Sequence, residues 1–366
     1  MNASLFEPLT LRETEIPNRV MVSPMCQYSC DAQDGLATDW HKVHLGSRAV
    51  GGAGVVIAEA TAVEPRGRIS PEDLGLWSQE HADALAPTAQ FIRGQGSVPA
   101  IQLAHAGRKA STRRPWEDGS RLVPEEEGGW TPRGPTDAPY PRDEENTATT
   151  EAMDTDDIAE VVEAFVQSAK YALDAGFEIP EIHAAHGYLI HEFLSPVSNT
   201  RDDAYGGDFE GRTRLLREVC EGVRAVWPDD KPIFVRISAT DWLPDQESWD
   251  VPQSARLASE LADIGVDFID VSSGGISPDQ QIPRAGPGYQ VEYAETIREA
   301  VEEDIAIGAV GGITDATHAE AIVGNERADA VLLAREHLRD PYFTLHAGDE
   351  LGAENAPEWP DQYKRA

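Results

Sequence analysis

The sequence predicts an α/β fold in which one domain, residues 1–366, forms a single (β/α)8 TIM barrel with a long loop after strand 3. Eight short runs rich in apolar and β-branched residues recur along the chain, and amphipathic helical patterns separate most of them. Repeated strand–helix units predict a parallel sheet, and eight such units suit a closed barrel. The predicted strands span residues 20–24, 55–60, 99–103, 177–183, 233–238, 268–272, 306–310 and 330–334.

The intervening helical patterns cover residues 155–175, 212–226, 251–264 and 289–301. Thr155, which acidic residues follow, is the predicted N-cap of the first of these helices, and Gly176 is its predicted end. A doubly wound sheet would instead open with a glycine-rich phosphate loop after its first strand. Gly51, Gly52 and Gly54 come before the second predicted strand, so they indicate a helix-to-strand turn.

Residues 111–150 interrupt the alternation of predicted strands and helices with a segment rich in proline, glycine and acidic residues. The segment follows the third strand and contains Trp116, Trp130 and Tyr140. Loops of this length are uncommon in compact domains and often serve as lids or binding loops. We therefore expect an inserted lid-like loop, with a surface insertion of no functional role as the alternative.

The composition is strongly acidic, with 65 Asp and Glu against 30 Lys and Arg and a formal net charge of −35. Such a charge repels nucleic acid and anionic membranes, so neither is an expected partner. The acids are spread along the chain, which favours adaptation to molar salt, where the Debye length is about 3 Å. No apolar run is long enough to span a bilayer and none resembles a signal peptide, so we expect a cytoplasmic, halophilic protein.

Polar side chains collect where the predicted strands end, and active sites of such barrels form at those ends. The side chains are Ser23, Cys26, Tyr28, Glu59, Gln102, His105, His183, His186, Tyr188, Arg236 and Ser272. Each could be structural on its own, but together they predict an active site on one rim. Gly311 and Gly312 after strand seven expose backbone N–H groups, and Arg335 after strand eight adds a charged fork. This is the common phosphate site of these barrels, so we expect a phosphate-bearing cofactor.

The two histidines of the fourth strand end, His183 and His186, could instead form a metal pair. The protein would then be a metal-dependent barrel hydrolase. Metal sites of hydrolases usually add carboxylates from other strands, and Glu59 is the obvious candidate at a strand end. We favour a site without metal and keep the hydrolase, and a non-enzymatic acidic binding protein, as alternatives.

Several longer motifs occur in a family-specific order. Residues 181–196 read Glu-Ile-His-Ala-Ala-His-Gly-Tyr-Leu-Ile-His-Glu-Phe-Leu-Ser-Pro, and Ser-Asn at 198–199 and Tyr-Gly-Gly at 205–207 follow. Residues 23–28 read Ser-Pro-Met-Cys-Gln-Tyr, and residues 102–109 read Gln-Leu-Ala-His-Ala-Gly-Arg-Lys. These motifs resemble the Old Yellow Enzyme family, and in particular its thermophilic-like subclass, which includes xenobiotic reductases. The resemblance covers residues 5–365.

The resemblance implies an FMN-dependent ene-reductase. NADPH or NADH would reduce a tightly bound, non-covalent FMN, which would transfer hydride to the β-carbon of an activated alkene, such as an enone, a maleimide or a nitro compound. By resemblance, the flavin ring would lie against Ser23, Pro24, Met25, Cys26, Ala60, Gln102 and Arg236, and the phosphate against Gly311, Gly312, Ala334 and Arg335. Arg236 would stabilise the negative charge of reduced flavin.

The same resemblance implies the catalytic and substrate-binding residues. His183 and His186 would bind the carbonyl or nitro oxygen of the substrate, Tyr188 would protonate its α-carbon, and Tyr28 would be a second substrate contact. The C-terminal tail, residues 352–366, would carry Arg365 into the active site of a neighbouring subunit. A homodimer or homotetramer is therefore expected.

Two features limit or modify the resemblance. Related flavin enzymes, such as dienoyl-CoA reductases and amine dehydrogenases, carry an iron–sulfur cluster, which typically needs four thiolates. The chain has 3 cysteines, so it does not fit that group. Family members often have glycine where this chain has Ala334, and an ordinary strand residue where it has Pro180, at which strand pairing would have to adjust.

Overall fold

The computed structural model describes residues 2–117, 121–142, 149–282, 284–301 and 305–365. Two short strand pairs lie outside the barrel: β1 (Leu9–Leu11) with β2 (Thr14–Ile16), and β6 (Arg133–Gly134) with β7 (Glu151–Ala152). The closed barrel consists of β3 (Val20–Val22), β4 (Val55–Ala62), β5 (Val98–Ala104), β8 (Ile179–Ala184), β9 (Phe234–Ser238), β10 (Phe268–Ser272), β11 (Ala306–Val310) and β12 (Ala330–Leu333). Each barrel strand overlaps one predicted run, so the predicted (β/α)8 barrel is confirmed.

Helices cover the outside of the barrel. They are α1 (Asp39–Val50), α2 (Gln79–Gly94), α3 (Thr155–Ala175), α4 (Leu189–Leu194), α5 (Phe209–Val226), α6 (Val251–Asp263), α7 (Val291–Val301), α8 (Ala316–Gly324), α9 (Arg335–Arg339) and α10 (Phe343–Leu351). Within the described part of the chain, no helix is long and apolar enough to cross a membrane.

The predicted N-cap of α3 was wrong by one residue. Asp154 is the N-cap, and its carboxylate accepts hydrogen bonds from the backbone N–H groups of Asp156 and Asp157. Either side chain can cap a helix, so the sequence alone did not distinguish Asp154 from Thr155. The predicted end was right, because Gly176 adopts a left-handed conformation with φ 91°.

Successive side chains of each strand point to opposite faces, and this separates two apolar layers. Phe234 and Phe268 belong to the cluster inside the barrel, where their rings stack with centroids 4.3 Å apart. Their neighbours Val235 and Ile269 belong to the cluster that packs against the helices. Leu11 of the N-terminal hairpin joins the inner cluster. The buried layers leave the carboxyl ends of the strands for the polar residues.

Strand pairing continues through Pro180. Ile101 pairs with Pro180 in an uninterrupted register between β5 and β8, while pairing between β8 and β9 starts at Glu181. The adjustment expected at this proline is therefore confined to the beginning of one ladder. The pairing that shifts is between β4 and β5, where an irregularity lies between Ala58 and Ala60.

The long loop after β5 packs back onto the barrel. The indole N–H of Trp130 donates to the carbonyl of Arg66 at 2.9 Å, and the Arg68 guanidinium lies 5.1 Å from the Trp130 ring centroid. Parts of the predicted 111–150 segment, residues 118–120 and 143–148, lie outside the described residues. A lid function for this loop stays a prediction.

Candidate active site

A strained turn after β8 brings three of the predicted catalytic side chains together. His186 has φ 60° and Gly187 has φ 71°, so the chain reverses between the two histidines and the tyrosine. The His183 ring centroid lies 5.3 Å from that of His186 and 5.2 Å from that of Tyr188. Both contacts are edge-on, which places the three rings around one small space.

Glycine is required at position 187 by geometry. A Cβ at this position would lie 2.1 Å from the carbonyl oxygen of Gly275, on the loop after β10. The loops after β8 and β10 therefore touch through their backbones. This close approach keeps His186 beside the end of β10.

Hydrogen bonds from neighbouring loops hold His186. Its Nε2 lies 2.7 Å from the Ser272 hydroxyl, and its backbone N–H donates to the Ser238 hydroxyl at 2.9 Å. Lys109 donates from Nζ to the carbonyl oxygens of His186, at 2.8 Å, and Gly275, at 3.2 Å. Groups from three other strand ends, those of β5, β9 and β10, therefore fix this histidine.

Lys109 also contacts Tyr188. Its Nζ lies 4.9 Å from the ring centroid of Tyr188 and 5.0 Å from that of Tyr140, which comes from the long loop. Burial lowers the pKa of Lys109 to about 8. A positive charge above the face of an aromatic ring is an attractive arrangement, so Lys109 links the long loop to the catalytic turn.

Burial sets the protonation of His183, His186 and Tyr188. It lowers the pKa of both His183 and His186 well below the ordinary value, and the nearby Arg236 guanidinium lowers each further. Burial also raises the pKa of Tyr188 far above that of an ordinary phenol. The site therefore holds two neutral imidazoles and one protonated phenol at neutral pH.

Tyr28 and Cys26 lie on the other side of Tyr188. The Tyr28 backbone has φ 51°, and a hydrogen bond joins its hydroxyl to the Cys26 thiol. Burial raises the pKa of Cys26, so its sulfur is a neutral thiol. Trp116 of the long loop packs edge-on against Tyr28, with ring centroids 5.8 Å apart.

A layer of charged and polar groups lies beneath the histidines, inside the barrel. Arg236 is buried, donates to the Ser23 hydroxyl at 3.1 Å, and its Nε lies 3.1 Å from an Asp270 carboxylate oxygen. Gln102 donates from Nε2 to Glu181 at 2.8 Å. Glu181 and Asp270 were not predicted as site residues, although Glu181 precedes His183 by two residues and therefore shares its face of the strand.

A cavity of about 350 Å³ extends from Arg236 to the ends of β11 and β12. Its lining includes Arg236, Ser272, Gly311, Gly312, Ala334 and Arg335. Gly311 and Gly312 have φ 121° and 68°, and an added Cβ at either would meet another atom at 2.6 Å. Those atoms belong to Gln290 and Gly286, so glycine at both positions lets the loop after β11 pack against the segment before α7 at the edge of the cavity.

Other predicted cofactor residues lie nearby in the fold. Ala60 lines a narrow cleft with His183 and Tyr188. Met25 packs against the outer apolar cluster, and Pro24 is half-buried between it and Ser23. The contacts thus connect Ser23 to Arg236 and Ala60 to the cleft.

Arg365 is placed elsewhere. It is exposed on a tail that packs on the α10 region, where the Tyr363 ring lies 5.9 Å from that of Tyr342. It does not line the cavity or the cleft described above. Within one subunit, Arg365 is therefore not part of this site.

Glu59, the carboxylate that the metal hypothesis needed, has other partners. It accepts a hydrogen bond from the backbone N–H of Gln27 at 2.6 Å and lies 3.3 Å from His41 Nε2. Among the described residues, no group of three or more His, Cys, Asp or Glu side chains could hold a metal ion. The hydrolase alternative gains no support.

Comparison with known proteins gives the family. Residues 4–354 match the NADH:flavin oxidoreductase / NADH oxidase family. The chain belongs to this family. The predicted relationship to Old Yellow Enzyme is thereby confirmed, and the protein is a flavin oxidoreductase that uses FMN and NAD(P)H.

Individual relatives of this flavin oxidoreductase match over the whole chain. The NADPH dehydrogenase of Geobacillus sp. (strain WCH70) is 48% identical over 352 residues, which cover 96% of each protein. The NADPH dehydrogenase of Bacillus subtilis (strain 168) is 43% identical over 366 residues, covering 100% of this chain and 99% of the relative. Morphinone reductase superposes with a TM-score of 0.77 at 26% identity, covering 99% of this chain and 93% of its own.

Proposed function

We propose that this flavin oxidoreductase is an ene-reductase that acts on activated alkenes, such as enones, maleimides and nitro compounds. The observation that carries the proposal is a protonated Tyr188 packed against the neutral His183, whose ring in turn contacts that of the neutral His186. When bound, FMN that NADPH or NADH has reduced supplies the hydride for the β-carbon of the alkene. The protein must supply the polarisation of the alkene and the proton for its α-carbon.

The residues present fit FMN. Gly311, Gly312, Ala334 and Arg335 would hold the phosphate, because the two glycines permit close backbone approach and Arg335 supplies positive charge. At the other end, Ser23, Pro24, Met25, Cys26, Ala60, Gln102 and Arg236 would surround the ring system. Arg236 would stabilise the negative charge of the reduced flavin.

His183 and His186 would bind the electron-withdrawing oxygen of the substrate. Because both imidazoles are neutral, each has one N–H to donate. The Ser272 hydroxyl, 2.7 Å from His186 Nε2, would donate to that nitrogen and so keep the His186 proton on Nδ1. Donors fixed in advance stabilise the enolate-like charge that develops as the alkene is reduced.

Tyr188 would donate its proton to the α-carbon, and Tyr28 would contact the substrate. Loss of the proton leaves a phenolate, which burial disfavours. The Lys109 ammonium, 4.9 Å from the Tyr188 ring centroid, would offset that cost while the tyrosine regains a proton. Trp116 and Tyr140 would close the cleft from the long loop.

Replacing Tyr188 tests this function. Tyr188→Phe should slow oxidation of the reduced enzyme by cyclohexenone by about 10²–10⁴-fold, because a general acid is lost. Reduction by the nicotinamide should be nearly unchanged, and so should both steps in the control Tyr171→Phe, a half-buried residue of α3. Stopped-flow absorbance of the flavin follows both steps. Equal slowing of the two half-reactions would contradict the assignment.

We further propose that the enzyme is a homodimer or homotetramer in which Arg365 serves the site of a neighbouring subunit. The position of the tail on α10, away from its own cleft, supports this arrangement. The net charge of −35 supports a cytoplasm with high salt as its working environment. A strictly monomeric active enzyme would exclude the shared site.

A further inference from the structure

Two buried carboxyl groups lie beneath the catalytic histidines, and the mechanism above uses neither. Glu181 and Asp270 are each 0% exposed. Glu181 is paired with Gln102 in the register of β5 and β8, and Asp270 is paired with Arg236 in the register of β9 and β10. The four side chains come from four neighbouring strands, and the charges of both Arg236 and Asp270 act on Glu181. We call them the carboxyl layer.

The carboxyl layer has more acids than cations. Arg236 is its single positive group, and its Nε lies 3.1 Å from Asp270. Glu181 has a neutral hydrogen-bonding partner, because Gln102 donates to its Oε1 at 2.8 Å. Glu181 Oε2 is buried without a hydrogen-bond partner. If both acids were ionised, the layer would carry a net negative charge in a dry interior, which is costly.

A proton on one acid removes that cost, and Glu181 is the better site for it. Burial raises the pKa of both Glu181 and Asp270, and the Asp270 charge raises that of Glu181 further. Arg236 lowers the pKa of both acids, but it is in contact with Asp270. Gln102 and His183, the other polar groups around Glu181 on β5 and β8, are neutral. No second cation compensates an ionised Glu181 among these neighbours.

We propose that Glu181 holds a proton in the resting enzyme and is a positioning residue for the flavin site. The carboxyl layer is then electrically neutral, with Arg236 and Asp270 as its ion pair. The proton lies on Oε2, the oxygen that accepts no hydrogen bond. An ionised Glu181 would add a negative charge next to Arg236, which lines the cofactor cavity, and would oppose the negative charge of reduced FMN.

The same arrangement gives Glu181 a second role, as a substitute counter-ion for Arg236. If Asp270 loses its charge, Glu181 can ionise and become the counter-ion of Arg236, because the two acids share one cation. Removal of Asp270 alone is then largely compensated. Removal of both acids leaves Arg236 positive without a buried counter-ion.

The test is the midpoint potential of bound FMN, measured at fixed KCl from pH 6 to 9. This test depends on FMN binding and not on the identity of the alkene. A failed ene-reductase assay would therefore leave the proposal about Glu181 unaffected. The variants are Glu181→Gln, Asp270→Asn, the double variant and the exposed control Glu80→Gln. A visible spectrum first confirms that each holds FMN.

The midpoint potential gives the ratio of the affinities for reduced and oxidised FMN. At pH 6.5 we expect this ratio in Glu181→Gln and in Glu80→Gln to lie within twofold of the wild-type ratio. At pH 9 this ratio should fall in the wild type relative to Glu181→Gln, because Glu181 ionises. Asp270→Asn should change the ratio less than the double variant, which should raise it at least tenfold, about 30 mV for a two-electron couple. A tenfold rise in Glu181→Gln at pH 6.5, or no rise in the double variant, would overturn the proposal.

Infrared spectroscopy keeps the proposal testable if a variant binds no FMN. A protonated buried carboxyl group gives a C=O stretching band that shifts in D₂O. In the difference spectrum of wild type minus Glu181→Gln, this band should be present at pH 6.5 and disappear by ionisation at alkaline pH. The subtraction removes the bands of Glu192 and Asp73, two other buried acids whose pKa burial raises. A difference spectrum without the band would also overturn the proposal.

Discussion

Burial determines the protonation of the residues around the cleft. The histidines become neutral, the tyrosine and the thiol retain their protons, and the lysine becomes a weaker base, since in each case the charged form loses more solvation. The site therefore offers hydrogen-bond donors without gathering charge. Such donors suit a reaction in which charge develops on the substrate only at the transition state.

The neutral histidines lead to a prediction about phenols, which imitate the enolate. Either His183→Ala or His186→Ala should weaken phenol binding and remove the charge-transfer band, with FMN content near that of the wild type. Because the pKa of both histidines lies well below the ordinary value, wild-type affinity for the phenolate form of the ligand should be flat between about pH 6 and 7.5. Spectral titration with 4-hydroxybenzaldehyde measures both.

Two outcomes would count against this role. Phenol affinity that followed a group with an ordinary histidine pKa would show that one imidazole is charged. Loss of a stoichiometric metal from either variant would revive the hydrolase alternative. His346→Ala, a change at an exposed residue of α10, is the matched control.

At the scale of elements, the turn between β8 and α4 is the most constrained part of the site. It contains two consecutive residues with positive φ, His186 and Gly187. Its backbone touches the loop after β10, and Lys109 donates hydrogen bonds to a carbonyl oxygen of the turn and to one of that loop. The short helix α4 then starts directly after Tyr188, the N-cap residue. The turn thus aligns the proton donor with the two histidines.

A pair of glycine substitutions separates this packing from backbone strain. Gly187→Ala should reduce alkene reduction more than tenfold, because its Cβ would lie 2.1 Å from the Gly275 carbonyl oxygen. Gly207 has a similar φ of 75° with nothing within 4 Å of an added Cβ. Gly207→Ala should cost only the backbone strain, about 1–2 kcal/mol of unfolding free energy, and leave activity unchanged. Urea unfolding and steady-state assays measure both.

Equal effects of the two substitutions would contradict this account. They would show that the close approach between the β8 and β10 loops does not position the catalytic residues. A loss of activity in Gly187→Ala with FMN still bound would support it most directly, since FMN binding reports that the barrel is intact.

At the scale of the whole molecule, net charge is the dominant feature. Most arginines have an acidic partner; Arg256, for example, contacts both Glu210 and Glu260. The remaining excess of acid gives the formal charge of −35. Self-repulsion at this charge disfavours the compact state, and the same field opposes the approach of the anionic nicotinamide.

Salt should therefore improve both stability and cofactor association. The Debye length falls from about 10 Å at 0.1 M to about 3 Å at 1 M, so both penalties shrink. We expect the melting temperature to rise and the apparent KM for NAD(P)H to fall as KCl increases into the molar range. The two are measured in parallel across one KCl series. Values that are flat or worse above about 0.5 M would refute adaptation to high salt.

By itself, the sequence determined the barrel and the rim on which the site lies. Strands and helices are set by local periodicity, and the active rim follows from the carboxyl ends of the strands. The motif at residues 181–196 was sufficient to indicate the family, and from that resemblance the catalytic side chains were predicted. These features depend on residues that are close together in the chain.

Only the tertiary structure decided how the side chains are paired. The bond between Gln102 and Glu181 joins residues 79 positions apart, and that between Lys109 and His186 joins residues 77 apart. The sequence also did not show the partner of Glu59, the place of Asp270 or the position of Arg365. Such contacts form only when the barrel closes and sets the register between strands, and the burial that shifts each pKa forms with them.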